Sequence, residues 1–225
     1  MQIKFQKSLK EYDYLIMFDL ASRVSGVCIW DLHNNRPLRT EIIKVTGSSE
    51  LPVAELYDAL SCFFNNLERE GINKNKILVY QEAMPVQLRG GSSTVQTFLS
   101  LARSHSALDL YTFYNDIPIY DYVGVYPIST HSYLRKINEW DAKHKIEKND
   151  IKSFVEETYG LSDLTFDEAD AVFLAKTFVD IKWNKDLDEA IRGLKKHIKE
   201  LKAERSINIC LEEKKRLEGL KIAQN

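Results

Sequence analysis

Cysteine is scarce: Cys28, Cys62 and Cys210 are the 3 in 225 residues, and none forms a C-x-x-C pair. That excludes a disulfide framework and a structural zinc site. Three free thiols suit a reducing, cytoplasmic setting. No apolar run approaches the roughly 18 residues that a membrane span needs. Met1 to Tyr14 is charged and lacks the apolar centre of a signal peptide. The 9 glycines and 5 prolines follow no repeat, which excludes collagen-like and low-complexity structure. Neither G-x-x-x-x-G-K nor G-x-G-x-x-G occurs, so Gly90-Gly91 is a flexible point in a loop and not a phosphate cradle. His33, His105, His131, His144 and His197 stand at no ligand spacing, and no Ser-His-Asp arrangement is readable. Positive charge is not in excess either: 31 Lys+Arg face 33 Asp+Glu, for a formal net charge of -2. Any nucleic-acid binding must rest on local charge.

What is present is an ordinary globular composition, 44% hydrophobic and 28% charged. Tyr14 to Phe18 reads as a buried strand ending at Asp19. Val27 to Trp30 and Arg39 to Val45 read as the next two strands of an antiparallel meander, with a turn over His33 to Pro37. Pro52 opens a helix whose Val53, Leu56, Leu60, Phe63, Phe64 and Leu67 share one face, and Gly71 closes it. Ile77 to Tyr80 is a fourth strand running into Gln81-Glu82, and Pro85 to Ser93 is a loop. A helix spans Thr94 to Tyr111. Ile117 to Ile119 and Tyr122 to Val125 make a short fifth strand. Ser129 caps a helix to Trp140, Asn149 caps one to Tyr159 with Gly160 behind it, and another begins near Asp167. This order predicts an α/β domain over residues 1–185: a mixed five-stranded sheet with helices on both faces.

Residues 186–225 form a charged helical extension with 10 Lys+Arg and 8 Asp+Glu. Leu187, Ile191, Leu194, Ile198 and Leu201 follow a heptad seam that breaks near Ser206 to Ile209, and Leu211, Leu217 and Leu220 resume it. The stripe fits a helix docked on its own domain, or a short coiled coil.

The acids carry the chemical signal. Asp19 ends strand one and Glu82 ends strand four. If those strands are parallel neighbours, both carboxylates emerge at one sheet edge, where ligand sites of open α/β sheets gather. Asp167 and Asp170 are three apart, so they share a helix face, while Glu168 points elsewhere. Asp170 interrupts an apolar run, Ala169 to Leu174, where solvation explains a charge poorly. Carboxylates converging to about 4 Å repel by several kcal/mol per pair at intermediate dielectric. A divalent cation relieves that repulsion, and hard oxygen ligands suit Mg²⁺ or Mn²⁺. Two such ions hold the attacking and leaving oxygens of a phosphodiester.

Asp19-Leu-Ala-Ser-Arg-Val-Ser-Gly26 resembles the first motif of RuvC-type Holliday junction resolvases. Val79-Tyr-Gln-Glu82 is similar to their second motif, and Phe166-Asp-Glu-Ala-Asp-Ala171 to their last. The match runs over about residues 14–180, with 63 and 85 positions between Asp19, Glu82 and Asp167. The resemblance implies an RNase H-like fold, a homodimer, and Mg²⁺-dependent nicking of four-way DNA with two ions, Mn²⁺ as substitute. It implies that Asp19 bridges the two ions, that Glu82 and Asp170 hold one each, and that Asp167 completes the shell or orients water. Lys148 takes the place of a basic residue facing DNA, with Arg135 and Lys136 as further phosphate contacts. The helix from Thr94 becomes the dimer surface, through Val95, Phe98, Leu99, Ala102 and Leu108.

Three features depart from that family: Leu-Ala follows Asp19, the loop after Glu82 lacks an aromatic wedge, and the C-terminal extension is long. Met84 or Leu88 would then enter the base stack instead. Length and divergence suit a phage or viral member. Alternative readings are an RNase H-like nuclease for RNA or for forked and flap DNA, and a non-catalytic junction binder. An actin-like ATPase is disfavoured, since that fold needs two such halves.

Overall fold

The computed structural model describes residues 12–21, 23–46, 52–84, 95–120, 125, 127–183, 191–192 and 211–219. Strands β1 (Tyr14–Asp19), β2 (Val24–Asp31) and β3 (Arg36–Lys44) form the expected antiparallel meander. Helix α1 (Pro52–Arg69) crosses to β4 (Ile77–Gln81), which pairs parallel with β1. The sheet order is β3-β2-β1-β4. Then follow α2 (Val95–Tyr114), α3 (Pro127–Ile137), α4 (Lys148–Tyr159) and α5 (Phe166–Phe178), which runs on into a π-turn at Val179–Trp183.

Alternation along β1 divides the core in two. Leu15 and Met17 face α4 and α5, packing with Trp30, Tyr80, Val155 and Phe173. Ile16 and Phe18 face α1 and α2, packing with Leu60, Phe63, Phe64 and Leu108. Both faces of the central strands are therefore covered, which explains why β1 and β4 read as continuous apolar runs. Ile191 and Leu217 of the C-terminal stretch are buried in the α5-side core, as a docked helix requires.

Three local expectations need correction. The described sheet has four strands, not five: Ile119 and Val125 each make one isolated parallel bridge, to Val79 and Glu82. Pro118 contributes no amide to a ladder, so only its carbonyl is used, accepting from Val79 at 2.8 Å. Helix α4 starts two residues early, with Glu147 and not Asn149 as its N-cap; the Glu147 amide donates to the Asp150 carboxylate at 2.8 Å. Gly160 closes it in the left-handed conformation at φ 64°, as expected. Helix α3 opens at Pro127, ahead of Ser129, because proline needs no amide partner in a first turn. The loop with Gly90-Gly91, and Leu88, lie outside the described residues.

One contact sets the position of α5. A Cβ placed on Gly26 of β2 would stand 1.9 Å from the Asp167 carbonyl oxygen and 2.4 Å from its carbon. Helix α5 is anchored there by its own cap: Thr165 Oγ1 accepts from the Glu168 amide, and Glu168 accepts from the Thr165 amide at 2.9 Å. Glu168 also accepts from Thr40 of β3 at 2.8 Å. We expect Gly26→Ala to destabilise the protein by about 3 kcal/mol or more, because the backbone of a capped helix cannot yield as a flexible side chain does. Thermal unfolding followed by circular dichroism checks this; a parental midpoint would contradict the contact.

Candidate metal centre

Parallel pairing of β1 with β4 brings two of the four acids together. The Glu82 amide donates to the Phe18 carbonyl at 2.9 Å, which places Glu82 beside Asp19 at the carboxyl edge of the sheet. The first two turns of α5 supply Asp167 and Asp170. All four line one cleft of about 450 Å³, together with Leu20, Thr130, His131 and Lys148. The sequence-level expectation that Glu168 points away also matches, since its carboxylate is held by Thr40 and Thr165. Burial pushes the Glu168 carboxyl up, but those hydrogen bonds outweigh it and hold the group below the usual range.

The turn after Asp19 is pinned from two sides. The Ala21 amide donates to Ser25 Oγ at 3.1 Å, which accounts for the Ser-Gly pair that follows the turn. Ser104 Oγ of α2 donates to the Ala21 carbonyl at 3.1 Å. Nothing in the local pattern of α2 marks Ser104 for this task; its signal exists only in three dimensions.

The carboxyls of the cleft are strongly perturbed. Burial raises the Asp19 carboxyl to about 6, with the charge of Asp170 adding to it and a hydrogen bond from Glu82 opposing. Burial raises Glu82 further, to about 9, helped by the charge of Asp19 and by that shared hydrogen bond. Asp19 and Glu82 therefore titrate as a pair, with burial and their mutual repulsion pushing both carboxyls up. Burial also raises Asp170, against the pull of Lys148.

Lys148 was expected to face DNA. Its Nζ stands 3.5 Å from Asp170 Oδ2 and 3.9 Å from Asp167 Oδ1. The first turn of α4 therefore lays an ammonium against the acids of α5, although more than half of the lysine side chain stays exposed. Arg135 lies at the end of α3, its Nε donating to the His144 carbonyl at 2.8 Å, and Lys136 beside it is exposed. Met84 is half-buried just past Glu82. His131, which no spacing rule picks out, lines the cleft; burial and the neighbouring Arg135 lower its pKa.

Among the described residues no group of three His, Cys, Asp or Glu is already drawn into ligating geometry. The donor set nevertheless fits a hard divalent cation. Every donor is a carboxylate oxygen, the crowding of Asp19 and Glu82 raises both carboxyls, and an ammonium already stands at Asp167 and Asp170, so the cleft favours added positive charge.

The sequence matches no family model and no curated protein. Solved structures do match. Thermus thermophilus RuvC in complex with a Holliday junction substrate aligns with a TM-score of 0.53 at 14% identity, over 75% of this chain and 96% of that one. A second Thermus thermophilus RuvC structure aligns at 0.52 and 16% identity, over 74% and 93%. At such identity the likeness establishes the fold: a RuvC-like, RNase H-like α/β domain. It lends no support to a phage or viral origin.

The raised carboxyls fix the sign of a pH effect. Protons on Asp19 and Glu82 favour the folded state, so their contribution is complete below about pH 4 and fades as pH rises through 6 and 9. The metal-free protein should therefore melt lower at pH 8.5 than at pH 5.5. Millimolar Mn²⁺ or Mg²⁺ should raise the midpoint more at pH 8.5, where protons no longer compete. Differential scanning fluorimetry with Glu82→Gln as control checks this. A midpoint indifferent to both ions at both pH values would contradict the reading of these acids as ligands.

Proposed function

We propose that this chain is a divalent-metal-dependent, structure-selective endonuclease that hydrolyses phosphodiesters of branched DNA, with the four-way junction as preferred substrate. The observation that supports it best is the convergence of Asp19, Glu82, Asp167 and Asp170 from three separate elements into one partly buried cleft. The fold shared with RuvC, one of whose structures contains a Holliday junction substrate, adds to that support.

In this reading Asp19 and Glu82 offer carboxylate oxygens from adjacent strand ends, and Asp167 and Asp170 offer theirs from one helix face. Two Mg²⁺ or Mn²⁺ ions held by these four would neutralise the phosphate and acidify a water for in-line attack. Glu82 must release its proton for that state to form. Lys148 presents positive charge where the phosphate enters, and Arg135 and Lys136 extend that charge along the end of α3. Met84 offers an apolar side chain next to Glu82 for contact with bases.

Cutting a junction symmetrically requires two copies of the chain. Helix α2 is the surface proposed for that pairing. Val95 and Leu99 are largely exposed on it, at 63% and 47%, and Phe113 and Tyr114 continue the exposed apolar surface at its far end. Leu108, expected on this face, is instead fully buried against α1.

One observation favours a second reading. The ammonium of Lys148 already compensates two of the acids, as a non-catalytic junction-binding protein would need. The two readings part on cleavage. Asp19→Asn and Asp170→Asn should each abolish Mg²⁺-dependent nicking of a synthetic four-way junction, by about 10³-fold or more, while junction binding in Ca²⁺ stays within a few-fold of parental. Forked DNA and structured RNA run beside the junction test the substrate. A parental protein that binds the junction but never cuts it in Mg²⁺ or Mn²⁺ would select the non-catalytic reading.

A further inference from the structure

Helix α5 begins with an aromatic residue that does nothing for the helix. Phe166 occupies the first turn directly after the Thr165 cap, where the side chain packs on no turn of its own helix. It is 43% exposed, although most large apolar side chains of this helix are buried. Among the described residues its ring stacks on no other aromatic ring. Two ammonium groups flank it instead: Lys148 Nζ at 5.9 Å and Lys152 Nζ at 5.8 Å from the ring centroid. These lysines are one turn apart on α4, so a single helix face lays a pair of cations along the ring. Lys148 is also the residue that reaches Asp167 and Asp170. The exposed ring, the cations and the acid cleft are therefore contiguous.

We propose that Phe166 is a stacking platform for a nucleobase, placed next to the cleft so that the phosphate joined to that base meets Lys148 and Lys152. An exposed aromatic ring gives stacking energy to any base, and adjacent cations suit the phosphate. The occupant is an unpaired or splayed nucleotide, because a base inside a continuous duplex offers no free face. The loop after Glu82 carries no aromatic residue, and Phe166 supplies one from the helix that carries Asp167. Phe166 is thus a specificity residue for opened strands, and Lys148 serves both the acids and the platform. Lys152 belongs in part to Glu156, 3.6 Å away, which leaves its ammonium beside the ring without committing it to the acids.

The inference rests on the nuclease reading, and the test separates the two. A four-way junction carrying 2-aminopurine at the crossover is titrated with parental protein, Phe166→Leu and Phe166→Trp, in Ca²⁺ to prevent cutting. Parental protein should quench the 2-aminopurine on binding. Phe166→Leu should lose the quench and bind about 5- to 100-fold more weakly, while Phe166→Trp should keep both. In Phe166→Trp the added indole should itself be quenched by unlabelled junction, relative to the parental tryptophan signal, which is a second readout independent of Phe166→Leu folding. Parental-strength binding by Phe166→Leu with the quench intact, or an indole in Phe166→Trp that does not respond to DNA, overturns the platform and leaves the nuclease reading standing. Failure of parental protein to bind any junction, fork or single strand overturns the reading beneath it.

Discussion

The close approach of Gly26 to the carbonyl of Asp167 is the constraint from which the rest of the site follows. It presses the first turn of α5 against the middle strand of the meander, nearer than any side chain would allow. That seat points Asp167 and Asp170 toward the strand ends bearing Asp19 and Glu82. The Thr165 cap and the tie from Thr40 to Glu168 fix the remaining freedom of the helix start. A glycine in β2 and an aspartate in α5, 141 positions apart in sequence, act as one structural element.

That seat gathers like charges, and the protein has two ways of tolerating them. Between strand ends, Asp19 and Glu82 share a hydrogen bond while burial and mutual repulsion raise both carboxyls. On the helix, Lys148 stands against Asp167 and Asp170. The lysine is largely exposed, so this is not a packed, permanent solution of the kind found in a core. A hard divalent ion would relieve the same crowding. The four acids are costly to the resting fold, and a group that lowers stability where it sits commonly marks function.

Much of this was legible in the sequence, and what was legible had local signatures. Asp19 and Glu82 each end an apolar run, so parallel pairing of those runs was enough to bring them together. The spacing of Asp167 and Asp170 put them on one face with Glu168 turned away, and the structure adds the reason, the capping box between Thr165 and Glu168. What stayed hidden depended on contacts between distant segments. The resemblance singles out Lys148 for DNA, but its closeness to Asp167 and Asp170 shows only when α4 is packed on α5. Ser104 gains its role only when α2 lies beside the Asp19 turn. The same holds for Phe166, whose neighbours come from another helix. The expected fifth strand is described only in part: Ile119 and Val125 each make a single parallel bridge, Pro118 has no amide to give, and residues 121–124 lie outside the described residues.

The parallel pairing of β1 with β4 also has a consequence in time. The acids sit at positions 19, 82, 167 and 170, so the chain must close very long loops before they meet. A chain shorter than 170 residues lacks part of the set, so the cluster is a property of the nearly complete domain. A divalent ion taken up by these acids would favour only the finished fold, since the unfolded chain scatters them. Ion binding and the closing of those loops would then be joined in one event.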